Sequence, residues 1–153
     1  MNRSCYIAIL GLVICTVAPA SARNTLASAG RAYRDADEPC FGGENAGSVT
    51  NSCTGTPRWW EVPLATDAQN DKSAWVSFMS INGGQPISCT MVTNFLDNSC
   101  MVIGSSVTNA YYGATDYEKI SAKRPCSAMN FNTYVGCYMG YGSTLYTIYA
   151  FNQ

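Results

Sequence analysis

The segment "KSAWVSFMSINGGQPISCTMVTNFLDNSCMVIGSSVT", residues 72–108, is three strands in a row. Its runs 72–81, 86–96 and 100–108 carry the β-branched and aromatic residues that suit a pleated, half-buried surface, and "NGG" at 82–84 and "DNS" at 97–99 interrupt them as turns. The same alternation of strand and turn continues on both sides. "RWWEVPLAT" at 58–66 precedes the segment; "YEKISA" at 117–122, "NTYVGCYMG" at 132–140 and, after the turn "YGS", "TLYTIYAFN" at 144–152 follow it. No helical periodicity is present after residue 40, and no internal repeat. The expected fold is all-β: a single antiparallel β-sandwich, jelly-roll or immunoglobulin-like, stapled by disulfides, with a small barrel as the alternative.

The ends of the chain differ from this body. Arg3 is followed by the uncharged, mostly apolar run "CYIAILGLVICTVAPA", and Ala20 and Ala22 stand at the −3 and −1 positions before Arg23. That layout is a secretory leader over residues 1–22. The run is too short for a comfortable membrane span, which needs ~20 residues. Cys15 is a poor site for lipid attachment because Ile14 precedes it, where a small residue is wanted. No second run of that length follows, so no transmembrane segment is expected in the mature chain, and the expected location is extracellular, or periplasmic if the source is bacterial and the protein is retained. The absence of an Asn-x-Ser/Thr acceptor after the leader leans towards a bacterial source. Residues 23–39 hold Arg23, Arg31 and Arg34, the acidic trio Asp35, Asp37 and Glu38, and only Leu26 and Tyr33 as apolar anchors. They read as a mobile or weakly helical tail ahead of a domain over 40–153, with residues 42–57 a loop by composition.

The chain has eight cysteines, of which Cys5 and Cys15 leave with the leader. The remaining six, Cys40, Cys53, Cys89, Cys100, Cys126 and Cys137, read as disulfides in an oxidising compartment. Sequence does not choose among the pairings six cysteines allow. The pairing expected is Cys40–Cys53, which closes a short loop, with Cys89–Cys137 and Cys100–Cys126 tying the middle of the chain to its end. No metal is expected, since the chain has no C-x-x-C and no histidine.

That absence of histidine also removes Ser-His-Asp and Cys-His nucleophiles and imidazole acid–base pairs. Neither an S-x-x-K arrangement nor a phosphate-cradling G-x-x-x-x-G-K is present, so no cofactor is expected. The net charge is −1, one unit more negative once Arg3 is removed, and no basic run marks a nucleic-acid partner. Charged residues are only 12% of the chain, half the usual share, so surface polarity must come from hydroxyls and amides, which suit hydrogen bonding to sugars.

Within residues 58–64, Trp60, Val62 and Leu64 share one strand face, and Trp59, Glu61 and Pro63 the other. The apolar set places Trp60 in the core, and Pro63 pushes the strand towards a sheet edge. Trp59 is then left on the outer face beside Glu61, either covering a sheet edge, packing under the 42–57 loop, or serving with Glu61 as an aromatic-plus-carboxylate ligand contact. Tyr111, Tyr112 and Tyr141 lie in loops or turns and are the other candidate binding residues. In residues 144–151 both faces are apolar, which predicts a central strand covered on both sides. Asp116 and Glu118 alternate on a strand, a spacing a glycosidase pair would use, although Lys119 and Lys123 offer simple surface partners. Asp67 and Asp71 lack the dense alternation of a calcium loop and read as a turn.

The function these residues favour is an exported, non-catalytic binding module for a polysaccharide or envelope glycan. The alternatives are a protein ligand, as for a secreted inhibitor or adhesin, and a small carboxylate-dependent glycoside hydrolase.

Overall fold

The computed structural model of the chain describes residues 3–7, 13–17, 23–43, 47–64, 72–79, 86–95, 100–109, 115–123 and 131–152. In chain order the strands are β1 (Arg3–Ile7), β2 (Val13–Val17), β3 (Arg23–Leu26), β4 (Arg31–Ala32), β5 (Phe41–Gly42), β6 (Val49–Asn51), β7 (Arg58–Leu64) and β8 (Lys72–Met79). They continue with β9 (Ile87–Phe95), β10 (Met101–Asn109), β11 (Thr115–Ala122), β12 (Phe131–Met139) and β13 (Thr144–Asn152). Short 3-10 turns cover Ala27–Ala29 and Asp35–Cys40. Among the described residues, β1 and β2 pair only with each other.

Two antiparallel sheets make the sandwich. The first has the order β10-β9-β12-β7-β4, and the second β11-β8-β13-β6-β5, with β3 pairing on β13 beside β6. From β6 to β9 the chain changes sheet at every step. It stays in the first sheet from β9 to β10 and then alternates again to β13. That sequence of crossings is the jelly-roll order, which selects one of the two sandwich types the sequence allowed.

The core lies between the sheets. Trp60, Val62 and Leu64 of β7, Cys89 and Met91 of β9, and Val135, Cys137 and Met139 of β12 face Ala74, Val76 and Phe78 of β8, Ile120 of β11 and Ile148 of β13. Each large side chain of this set contributes roughly 1.5–3 kcal/mol by leaving water. β7 is flanked on its outer side only by the two residues of β4, so Pro63 sits where no ladder donor is needed.

Three expectations are corrected. Residues 23–39 are not a tail: β3 pairs with Thr147–Ala150 of β13, and Arg31 and Ala32 pair with Glu61 and Trp60. Between them Ala27 is buried, and its carbonyl accepts the Trp60 indole Nε1–H at 2.9 Å. This segment is held by strand pairing, the Trp60 indole bond, the Glu38 carboxylate on the Ala32 amide and the Asp37–Arg58 ion pair, which leave no hydrophobic period to read. Residues 42–57 are likewise not all loop. β6 adds to β13, and the buried Asn51 donates its Nδ2 to the Met139 carbonyl at 2.7 Å while its Oδ1 accepts from the Cys53 amide at 3.0 Å. Finally, β13 is central but not covered on both sides. A register shift between Leu145 and Thr147 turns both Leu145 and Ile148 inward, and Tyr149 faces solvent.

Cys40–Cys53 and Cys89–Cys137 are formed. The second joins directly opposed residues of β9 and β12 and is fully buried. Cys100 is disulfide-bonded as well; Cys126 lies outside the described residues, as do Asp67, Asp71, Tyr111 and Tyr112. Among the described residues no helix is long and apolar enough to cross a membrane.

Candidate functional site

Because β7 turns Trp60, Val62 and Leu64 into the core, Trp59, Glu61 and Pro63 point out of the first sheet. The register with β12 sets Tyr138 opposite Trp59, Gly136 opposite Glu61 and Tyr134 opposite Pro63. On the other flank Arg31 stands opposite Glu61, and the Tyr33 amide donates to the Trp59 carbonyl at 3.1 Å. Tyr33, Trp59 and Tyr138 therefore form an aromatic row perpendicular to the strands. Tyr33 is 67% and Tyr138 54% exposed, high values for such large rings.

Trp59 is held in place from three sides. Its ring lies across β12 over Gly136, where even a methyl group would come within 1.9 Å of Cζ2. Its edge meets the Tyr138 ring at 71° with centroids 4.5 Å apart, a favourable T-shaped contact. Its Nε1–H donates to Glu61 Oε1 at 3.0 Å. Glu61 thus orients the indole, and Trp59 in turn holds the carboxylate over the sheet.

The row opens into a cleft of about 420 Å³. Thr56, Pro57, the Arg58–Asp37 ion pair and Tyr134 also line it. Burial, then the charge of Glu61, then Tyr33 raise the Tyr134 hydroxyl above the ordinary phenol value, so it stays a neutral donor and acceptor at physiological pH. The charges lining the cleft, Arg34, Asp37, Arg58 and Glu61, balance.

Of the candidates named from sequence, Trp59 and Glu61 meet in this cleft. Tyr141 does not line it. It is exposed in the turn between β12 and β13, which is closed by the Ser143 amide on the Gly140 carbonyl at 3.1 Å. Glu118 is exposed on β11, an edge strand of the second sheet, and Asp116 lies on the same strand, so neither belongs to the first sheet. Tyr33, Tyr134 and Tyr138 were missed. For the latter two a signal exists: Tyr134, Gly136 and Tyr138 alternate with Val135, Cys137 and Met139 along one strand. For Tyr33 none exists, since its place depends on a two-residue strand. Among the described residues no three Cys, Asp or Glu side chains gather as metal ligands would.

The fold is a jelly-roll β-sandwich, and solved carbohydrate-binding modules share it. The C-terminal CBM6 of LamC, a marine laminarinase from Zobellia galactanivorans, is similar over 86% of this chain and 100% of its own, with 12% identity and a TM-score of 0.51. The carbohydrate-binding module CBM6cm-2 of Cellvibrio mixtus lichenase 5A, solved with cellotriose, is similar over 86% of this chain and 97% of its own, with 13% identity and a TM-score of 0.50. The Podospora anserina GH26-CBM35 β-(1,4)-mannanase is similar over 88% of this chain but 28% of its own, with 11% identity and a TM-score of 0.51. At these identities the likeness is one of fold. No protein-family model and no curated protein sequence matches the chain.

Proposed function

We propose that this chain is an exported, non-catalytic module that binds a polysaccharide or envelope glycan on the outer face of its first sheet. The observation that carries the reading is the aromatic row Tyr33–Trp59–Tyr138, with its central ring locked over Gly136 by Glu61. The C–H faces of a pyranose are apolar and pack on such rings, while its hydroxyls find partners in Tyr134 and the remaining acceptor capacity of Glu61. A ring immobilised before the ligand arrives costs little ordering entropy on binding. The fold likeness to carbohydrate-binding modules supports the same reading.

Catalysis is disfavoured by the carboxylates themselves. Glu61 accepts from Trp59, and Asp37, the other carboxylate of the cleft, is engaged by Arg58. Hydrolysis by a carboxyl pair needs one acid kept protonated and one ionised across the scissile bond. The disulfides and the leader over residues 1–22 support export.

The test is retention of residues 23–153 on insoluble polysaccharides, peptidoglycan included, with Trp59→Ala alongside. Retention of wild type and loss in the folded variant is expected. Retention of neither, with capture of one specific protein from an extract through the same row, would replace the glycan by a protein ligand.

A further inference from the structure

Beyond Tyr138 the aromatic row continues over two more strands, and there its chemistry changes. Ser88 of β9 stands opposite Tyr138, and Thr108 of β10 opposite Ser88. The adjacent row runs from Arg31 and Glu61 through Gly136 to Thr90 of β9 and Ser106 of β10. The hydroxyls are joined in pairs: Thr108 Oγ1 donates to Ser88 Oγ at 2.9 Å, and Thr90 Oγ1 and Ser106 Oγ lie 2.6 Å apart. Ile87, Cys89 and Met91, which alternate with Ser88 and Thr90 along β9, are fully buried, so all four hydroxyls stand on the same outer face as the aromatic row.

Each hydroxyl offers one donor and two acceptor lone pairs. A pair bonded to itself consumes one donor and one lone pair, and leaves one donor and three acceptor positions facing outward. The four side chains carry no charge, whereas the charged residues described on this face, Arg31, Arg34, Asp37, Arg58 and Glu61, lie at the β4–β7 end. Neighbouring strands are ~4.8 Å apart, about the length of one hexose ring, so Trp59 to Thr108 spans on the order of 14 Å, or about three rings. Ser106 and Thr108 are exposed on β10, the last strand of the sheet.

We infer that the aromatic row and the hydroxyl pairs Ser88–Thr108 and Thr90–Ser106 are successive subsites of one lane across the five-stranded sheet, occupied by an internal stretch of an extended, uncharged β-linked hexose chain. The aromatic end stacks on the sugar faces. The hydroxyl end reads equatorial hydroxyls two to three rings further along, with no charge to favour an acidic sugar. This inference rests on the glycan-binding reading of the face and adds the ligand's length, direction and charge class.

Calorimetric titration of the protein with cello-oligosaccharides from disaccharide to hexasaccharide tests it, with laminari- and manno-oligosaccharides as parallel series. Wild type should gain at least about tenfold in affinity between disaccharide and tetrasaccharide, roughly 1.4 kcal/mol. The near-isosteric double variant Thr90→Val/Ser106→Ala, checked for an unchanged melting temperature, should keep the disaccharide affinity and lose most of that gain. Trp59→Ala should lose binding at every length. A variant that keeps the full gain, or a wild type whose affinity does not change with length, overturns the lane. Equal or tighter binding of oligogalacturonates overturns the uncharged class. If wild type binds no oligosaccharide and is retained by no polysaccharide, the glycan reading fails before the lane is reached.

Discussion

At Gly136 an added methyl group would meet the Trp59 ring at 1.9 Å, closer than packed atoms approach. Gly136→Ala must therefore lift the indole from its seat, at a cost of roughly 1–3 kcal/mol for overpacking. Polysaccharide retention should fall with it, and the change should be visible in tryptophan fluorescence; retention equal to wild type would mean that the seat is irrelevant to binding. The adjacent tryptophans should separate cleanly by denaturant titration. Trp60→Ala removes a buried ring and its bond to the Ala27 carbonyl, and is expected to cost about 3–5 kcal/mol. Trp59→Ala removes a partly exposed ring with one side-chain hydrogen bond, and should cost less than ~2 kcal/mol. Similar losses would contradict the opposed faces assigned to them. Tyr134 carries a pH consequence. Its phenol value is raised in the folded state, so its contribution to stability is complete below the ordinary value of about 10 and is lost as pH rises above it. Phenolate absorbance should show Tyr134 ionising later than a free tyrosine, and Glu61→Gln should bring that ionisation down. The Trp59/Trp60 division was readable because one face of β7 is plainly apolar. Tyr134 and Tyr138 were not, because Val135, Cys137 and Met139 on the opposite face are apolar too, and a strand with two greasy faces does not say which is inside.

The strands from β7 to β13 lie within two residues of where their composition and turns put them, but the elements before them do not. β3 and β4 are short, polar and without period, yet they hold both sheets: β3 lies on β13, and β4 lies on β7. The link between them runs close under the core, since at Gly30 a Cβ would come 2.3 Å from the Glu61 carbonyl and 2.5 Å from Trp60 Nε1. Deleting residues 23–32 should leave the Trp60 indole N–H buried without its acceptor, costing about 1–3 kcal/mol from that bond alone, and should also remove Tyr33's anchoring beside Trp59. A lower denaturation midpoint together with weaker polysaccharide retention is expected. An unchanged midpoint would restore the tail reading. β13 shows how one irregularity defeats a parity argument. The bulge between Leu145 and Thr147 reverses the face of everything before it, so Leu145 and Ile148 are both fully buried although their spacing in an even strand would part them.

Across the molecule, the two described disulfides differ in accessibility. Cys89 and Cys137 are fully buried between the sheets, while Cys53 is only partly covered beside an exposed stretch. Mild reductant without denaturant should open Cys40–Cys53 first, with a loss of about 3 kcal/mol for its 13-residue loop. Cys89–Cys137 should be reduced only as the domain unfolds, with a further ~4 kcal/mol for its 48-residue separation. Alkylation followed by mass spectrometry reads the order, and the reverse order would contradict the burial argument. Both pairings are those expected, but loop length argued only for Cys40–Cys53; spacing did not require Cys89 to oppose Cys137, and the register of β9 on β12 does. The class of the protein, all-β, disulfide-bearing and lacking imidazole chemistry, was legible in the chain because composition, turn residues and the 2-residue period are local properties. So was the outward placement of Trp59 and Glu61, which needs only one strand's parity. The rest of the site was not local. Tyr33, Trp59 and Tyr138 are up to 105 positions apart, and the hydroxyl pairs come from other strands again. They share a face because the jelly-roll crossings order β10, β9, β12, β7 and β4 side by side, and strand order is settled by which apolar faces can close one core together, a condition no single stretch of the chain contains.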